Sequence, residues 1–321
     1  MTPPRSDHFN GKTFFHPRVA NKGLRDILKW RLTSRAASWP RPVALAPQPS
    51  PPSPRGDEIV TTWIGHATFL LQTTRGNFLT DPVFSERASP VQWAGPQRAH
   101  APGIAFEALP RIDAVLLSHD HYDHCDAPTL ARLVMAHDPV FIAPLRHHDL
   151  LMAAGAKKII ELDWWQAHAF SGDVVITLTP SQHWSNRLGT PRNHRLWGGF
   201  FLRFGAGPAA RRVWFCGDSG YDGETFRAIR LRCGAPNLAL IPIGAYEPRW
   251  FMASMHMNPA EAIAAHRDVG ARRSVAMHWG TFQLTDEARE APVEALAASR
   301  REAGVGEEEF RVLAAGASFV I

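Results

Sequence analysis

His119-Asp120-His121-Tyr122-Asp123-His124 sets three imidazoles and two carboxylates in six residues, directly after the apolar run Ala114-Val115-Leu116-Leu117. Neutral imidazole is the common biological ligand for zinc-like ions, and carboxylates complete mixed nitrogen and oxygen sites. A group this dense at the end of a buried strand would otherwise crowd polar atoms without partners. The plain alternative is a solvated, His-rich loop. What stands at the ends of the other strands decides between the two.

Outward from this run, the chain from Ile59 onward is patterned as short strands and helices. Residues 61–72 and 77–80 read as consecutive strands joined by a polar turn at Gly76, and 113–118 as a buried strand. Asp126 is placed to cap a helix through Leu130, Leu133 and Val134. Strands are expected at 140–144, 159–162, 174–179, 198–204, 212–215, 238–243 and 274–277, with short helices at 146–154, 223–231 and 292–301. Asn258-Pro259-Ala260-Glu261 carries a capping Asn, a first-turn Pro and a Glu three residues after the cap, so a helix should run on to Val269. Residues 310–321 read as one closing strand.

Three of these strands end on a further candidate ligand. Ser181-Gln182-His183-Trp184 follows the strand ending near Thr179, Cys216-Gly217-Asp218-Ser219-Gly220 follows Val213-Trp214-Phe215, and Met277-His278-Trp279-Gly280 follows Val275-Ala276. Singly, each is an ordinary structural His or a turn-making Asp. Together with the first run they supply two three-ligand sets and one carboxylate able to bridge, which a two-metal hydrolytic site requires.

The order HxHxDH, His, Asp, His resembles the metallo-β-lactamase superfamily. That resemblance implies an α/β chain folded as a four-layer αββα sandwich. It implies further that His119, His121 and His183 hold one metal, that Asp123, His124 and His278 hold a second, and that Asp218 bridges both. Longer stretches are similar to the N-acylphosphatidylethanolamine phospholipase D-like branch: Thr62-Trp63-Ile64-Gly65-His66-Ala67-Thr68, residues 79–90 (LTDPVFSERASP) and residues 243–252 (IGAYEPRWFM). His8-Phe9-Asn10-Gly11-Lys12 and the Trp-Pro at residue 40 fit the same branch.

The activity this implies is hydrolysis of a phosphodiester of N-acylphosphatidylethanolamine type by a hydroxide shared between two divalent ions, zinc foremost, with manganese and iron equally compatible with the ligands. Asp123 would orient the hydroxide and take its proton, and Tyr221 or His256 would protonate the leaving oxygen. A lactone or β-lactam hydrolase is the competing enzyme class, and a membrane-associated relative without turnover is the non-enzymatic one. Asp81 is expected to support the metal loops from outside, as the comparable Asp of the superfamily does. His66 is balanced between the site and a structural role, Glu247 and Arg249 read as a pair, and Trp184 and Trp279 are the best candidates for pocket walls.

Residues 1–56 form a separate N-terminal arm and Pro-rich linker ahead of a catalytic domain at 57–321. Residues 21–39 are basic, with Leu24, Ile27, Leu28 and Trp30 at partly helical spacing. They fit either an arm lying over the domain or a helix at a membrane surface. Residues 40–54 are Pro-rich and should be extended. The 321 residues carry 35 Lys and Arg against 30 Asp and Glu, a net charge of +5 spread along the chain, which makes nucleic acid a poor default partner. No stretch reaches the ~18 consecutive apolar residues of a membrane span, and the first residues lack the apolar core of a secretory signal. Cys125, Cys216 and Cys233 show no paired spacing, so neither a disulfide framework nor a Cys-type zinc knuckle is indicated. A cytoplasmic protein with peripheral membrane contact is the resulting expectation, and the oligomeric state is not legible.

Overall fold

The computed structural model describes residues 6–18, 22–46, 48 and 50–321. One sheet is built from β1 (Val60–Gly65), β2 (Thr68–Thr73), β3 (Gly76–Thr80), β4 (Ala114–Leu116), β5 (Val140–Pro144) and β6 (Ile159–Leu162). The second contains β7 (Ala167–Ser171), β8 (Val174–Thr179), β9 (Gly199–Phe204), β10 (Arg211–Phe215), β11 (Leu238–Pro242), β12 (Ser274–Met277) and β13 (Phe310–Arg311). A last strand, β14 (Ser318–Val320), returns to the first sheet beside β1.

Period-two alternation explains the layering. On β2, Phe69 and Leu71 face the core shared with the second sheet, while Leu70 turns to the opposite side. On β4, Ala114 and Leu116 face inward, and Val115 joins Leu130, Leu133 and Leu151 under α2 (Ala127–His137) and α3 (His148–Ala153). The second sheet is covered by α4 (Gly223–Cys233) and α6 (Pro259–Val269); the four-residue α5 (Arg249–Met252) lies between them in the chain, and α7 (Ala291–Ala303) packs against α6. Its central strands β11 and β12 are buried along their whole length, and Leu238–Pro242 accordingly reads as a continuous apolar run. Helix, sheet, sheet, helix is the four-layer order implied by the resemblance.

Strand direction places the functional edge. In the first sheet β3, β4 and β5 are parallel, and β1 is parallel to β3 because each is antiparallel to β2. In the second, β10, β11 and β12 are parallel, and β8 shares their direction through β9. The C-terminal ends of these strands carry His66 after β1, Asp81 after β3, the histidine run after β4, His183 after β8, Asp218 after β10 and His278 after β12. Loops past the carboxyl ends of parallel strands are where α/β folds build their sites.

Several local expectations change. Residues 61–72 are two strands, because Gly65 (φ 145°) and His66 (φ 53°) turn the chain between β1 and β2. The closing segment is also two strands, and they belong to different sheets. Strand β7 was not anticipated: it is an edge strand with alternating exposed residues and little apolar signal. Asp126 stands at the N-cap of α2 as expected, but its carboxylate takes no backbone N–H of the first turn: it accepts from the Thr129 hydroxyl in that turn and from Ser85 N and Ser85 Oγ, tying the helix start to the 84–85 loop.

The N-terminal segment lies along the body. His8 stacks on Trp164 with ring centroids 3.9 Å apart, Phe14 is buried in the main core, and Val43 N donates to Ala99 O. The basic stretch forms α1 (Leu24–Thr33), which sets Ile27 and Trp30 against Phe251, Met252 and Met255. Asn21, where that stretch was expected to begin, falls outside the described residues. The described part of the Pro-rich stretch holds neither helix nor strand.

Candidate metal centre

The histidine run leaves β4 and turns at once, with His124 N and Cys125 N both donating to His121 O. This tight turn aims three imidazoles the same way. His119 Nε2 lies 2.9 Å from His121 Nδ1, and His183 Nε2 lies 3.3 Å from that same nitrogen. On the other side, His124 Nε2 and His278 Nε2 are 3.2 Å apart, with Asp123 Oδ2 3.3 and 3.4 Å from them. Asp218 Oδ2 touches both groups: it is 3.2 Å from His124 Nε2, 3.1 Å from His278 Nε2, 3.7 Å from His183 Nε2 and 4.0 Å from His119 Nε2.

Imidazole nitrogens facing one another at these distances cannot all be satisfied by each other, since a neutral ring offers only one N–H. Titration behaviour sharpens the point. Burial presses His119 and His183 well below the ordinary histidine range and lowers His121, so this trio presents lone pairs. Burial also opposes the charge on His278, but Asp218 and Asp123 outweigh it and raise the ring to about 9. His124 is raised in the same way. Burial alone would push Asp123 and Asp218 up, yet His124 and its neighbours hold both carboxyls well below the usual range. Two ionised carboxylates therefore draw positive charge to the place where the rings converge. All donors are imidazole nitrogen or carboxylate oxygen, a set suited to zinc-like divalent ions.

The rings are held from behind. Asp81 is fully buried; it accepts from Ser118 N at 2.7 Å and lies 2.7 Å from His124 Nδ1. Ser118 Oγ is 2.9 Å from His119 Nδ1, and His183 Nδ1 meets Met255 O at 3.0 Å. Each ring is thereby fixed with its other nitrogen toward the centre, the usual outer support of a metal-bound histidine. Asp120 faces away, taking Arg195 Nη1 at 3.1 Å and Asn186 N at 2.9 Å, and so ties the run to the 186–195 loop.

Of the other expected residues, His256 comes close, its Nδ1 3.9 Å from Asp218 Oδ2 and its ring beside His183. Burial lowers it to about 4. Tyr221 does not come to the cluster. Its hydroxyl donates to Asp268 on α6 at 2.7 Å, which corrects the expectation that it meets the leaving group. Arg249 pairs with Glu261 rather than Glu247, Trp184 stands 4.5 Å from the His121 ring, and Trp279 stacks on Trp63. His66 reaches Asp123 with Nε2 at 2.9 Å, a contact no motif spacing announced because β1 is remote in sequence.

A protein with this edge of imidazoles and carboxylates between two covered sheets is a metal-dependent hydrolase of the metallo-β-lactamase fold. The chain belongs to the family described as Beta-lactamase superfamily domain, whose profile matches residues 76–279. It is 40% identical over 280 residues to an uncharacterized protein of Mycobacterium tuberculosis (strain ATCC 25618 / H37Rv), covering 85% of this chain and 73% of that one. It is 39% identical over 235 residues to the N-acyl-phosphatidylethanolamine-hydrolyzing phospholipase D 1 of Caenorhabditis elegans, covering 70% of this chain and 65% of the relative. A metal-dependent hydrolase of Myxococcus xanthus (strain DK1622) is 26% identical over 260 residues, covering 78% of this chain and 81% of the relative. In three dimensions the metallo-beta-lactamase fold protein YhfI from Bacillus subtilis matches with a TM-score of 0.57 at 18% identity, covering 83% of this chain and all of that one.

Asp81→Ala removes the acceptor behind His124 and Ser118. We expect metal affinity to fall 10–100-fold, measured by competition with a chromogenic chelator. Unchanged affinity would show that these rings hold their orientation without it.

Proposed function

We propose that the protein is a phosphodiesterase of phospholipase D type, acting on glycerophospholipids of the N-acylphosphatidylethanolamine kind. The observation that carries this reading is the reach of Asp218 Oδ2 to both imidazole groups, with the name of the 39% identical worm relative supplying the substrate class. His119, His121 and His183 would hold one divalent ion, Asp123, His124 and His278 a second, and Asp218 both, with zinc favoured and manganese or iron compatible. Bound there, two such ions lower the pKa of water toward ~7 and neutralise charge on phosphoryl oxygens.

The chain's own residues supply the rest. Asp123, ionised and beside His66, His124 and His278, orients the attacking water and receives its proton. Attack on phosphorus forms a new P–O bond and breaks the distal ester, leaving phosphatidic acid and the alkoxide of an N-acylethanolamine. Among the described residues His256 Nδ1 has no hydrogen-bond partner; it faces the centre, placed to hydrogen-bond the departing oxygen, which takes up the proton that Asp123 received from water.

The assay compares a chromogenic phosphodiester, a lactone, a cephalosporin and an N-acylated phospholipid. We expect turnover of both phosphodiesters, abolished by chelation and by Asp218→Ala, with the fold retained by circular dichroism. Lactone or cephalosporin turnover without phosphodiester turnover would replace this reading with the carbonyl-hydrolase one.

Peripheral contact with a lipid surface belongs to the same proposal. On α1, Leu28 and Leu32 are 59% and 77% exposed, and the Lys29 ammonium sits 4.5 Å from the Trp250 ring centroid, an apolar and cationic face suited to anionic headgroups. Co-sedimentation with anionic vesicles should fall in the double variant Leu28→Ser, Leu32→Ser; equal binding would dismiss the contact.

A further inference from the structure

We infer that His66 is the positioning residue of the second ion's side of the site: its ring holds the Asp123 carboxylate while its own peptide carbonyl holds the backbone of His278. This rests on the two-ion reading above and adds a residue that lies outside the seven expected ligands.

Both halves of the device are explicit in the geometry. His66 Nε2 is 2.9 Å from Asp123 Oδ2, closer to that oxygen than the rings of His124 and His278 are. Among the described residues that contact is the only hydrogen bond of the His66 ring, and its Nδ1 is buried with no partner there. A residue there merely to fill space would have no use for a buried ring nitrogen. The peptide acts in the other direction. His66 O accepts from His278 N at 3.0 Å and from Trp63 Nε1 at 2.9 Å, and His66 N donates to Thr281 Oγ1 at 2.8 Å. A single residue at the end of β1 thus joins a carboxylate carried by the β4 loop to an imidazole that follows β12.

The backbone supports a functional origin for the turn. His66 has φ 53° and His278 φ 60°, a left-handed conformation that side chains larger than glycine adopt at a cost. Their peptides hydrogen-bond to each other in that state, and their rings lie 4.0 Å apart. Gly65, with φ 145°, leads into the turn, and a Cβ there would crowd His100 at 3.3 Å and Thr281, which receives His66 N, at 3.5 Å. Strain of this kind persists where the surroundings over-determine it, and it gathers at binding and catalytic sites.

Two substitutions separate the ring from the turn. Asn accepts the left-handed backbone, but its amide stops short of Asp123, whereas Gln places an amide N–H about where imidazole Nε2 stands. Zinc is titrated into the metal-free native protein, His66→Asn and His66→Gln by calorimetry, with stoichiometry checked by elemental analysis and metal-free melting temperatures recorded. The native chain should take up two ions. His66→Asn should keep one tight ion and bind the other 10–100-fold more weakly, the usual loss when support behind a metal ligand is removed. His66→Gln should recover most of that loss. A His66→Asn variant that binds both ions as the native chain does, or a His66→Gln variant no better than Asn, would overturn the inference. A lowered metal-free melting temperature with second-ion affinity intact would do the same, since it assigns a purely structural role. Uptake of a single ion by the native chain would instead overturn the two-ion reading, and this inference with it.

Discussion

The convergence of imidazoles on Asp218 Oδ2 is the constraint that the rest of the structure serves. His278, His124, His183, His256 and His119 all place a ring nitrogen within 3.1 to 4.0 Å of this one buried oxygen. Burying an ionised group costs several kcal/mol unless opposite charge and hydrogen bonds meet it. A fully buried core side chain returns about 1.5–3 kcal/mol, the same order as that cost. The apolar core between the sheets, with Trp63, Phe69, Phe78, Phe200 and Phe215 fully or nearly fully buried, supplies the rigidity that keeps the convergence in place.

That rigidity is transmitted by backbone as much as by packing. His66, Asp81 and His278, all at the ends of strands on the same edge, have φ of 53°, 31° and 60°. At His66 and His278 the unusual backbone lets peptide groups support one another, and at Asp81 it accompanies a carboxylate that holds both Ser118 and His124. The two sheets are thus fastened at their shared edge by polar contacts, with apolar packing behind. The N-terminal helix extends the same wall outward, because Trp30 stacks on Phe251 and Met255 O meets His183 Nδ1.

Much of this was legible in the sequence for a simple reason. Apolar runs mark buried strands, and a His or Asp immediately past such a run stands at the strand's C-terminal end. The HxHxDH run, His183, Asp218 and His278 could therefore be assembled without coordinates, whereas the supporting role of Asp81 came from the family resemblance and His256 was suspected only as a loop residue two before the helix cap Asn258. The remainder depended on long-range geometry. The hairpin at His66 was read as continuous strand because Thr61 to Gln72 is almost uniformly apolar or β-branched, and only the left-handed turn interrupts it. The final segment was read as one strand although its two ends pair with different sheets. Tyr221 lies near Asp218 in sequence, but Asp218-Ser219-Gly220 turns the chain, and its hydroxyl finds Asp268 on α6.

The most direct test of the account is anomalous diffraction at the zinc edge from crystals of the zinc-loaded protein. Two peaks are predicted, one against His119, His121 and His183 and the other against Asp123, His124 and His278, with Asp218 in contact with both. A single peak, or peaks that leave Asp218 untouched, would contradict it.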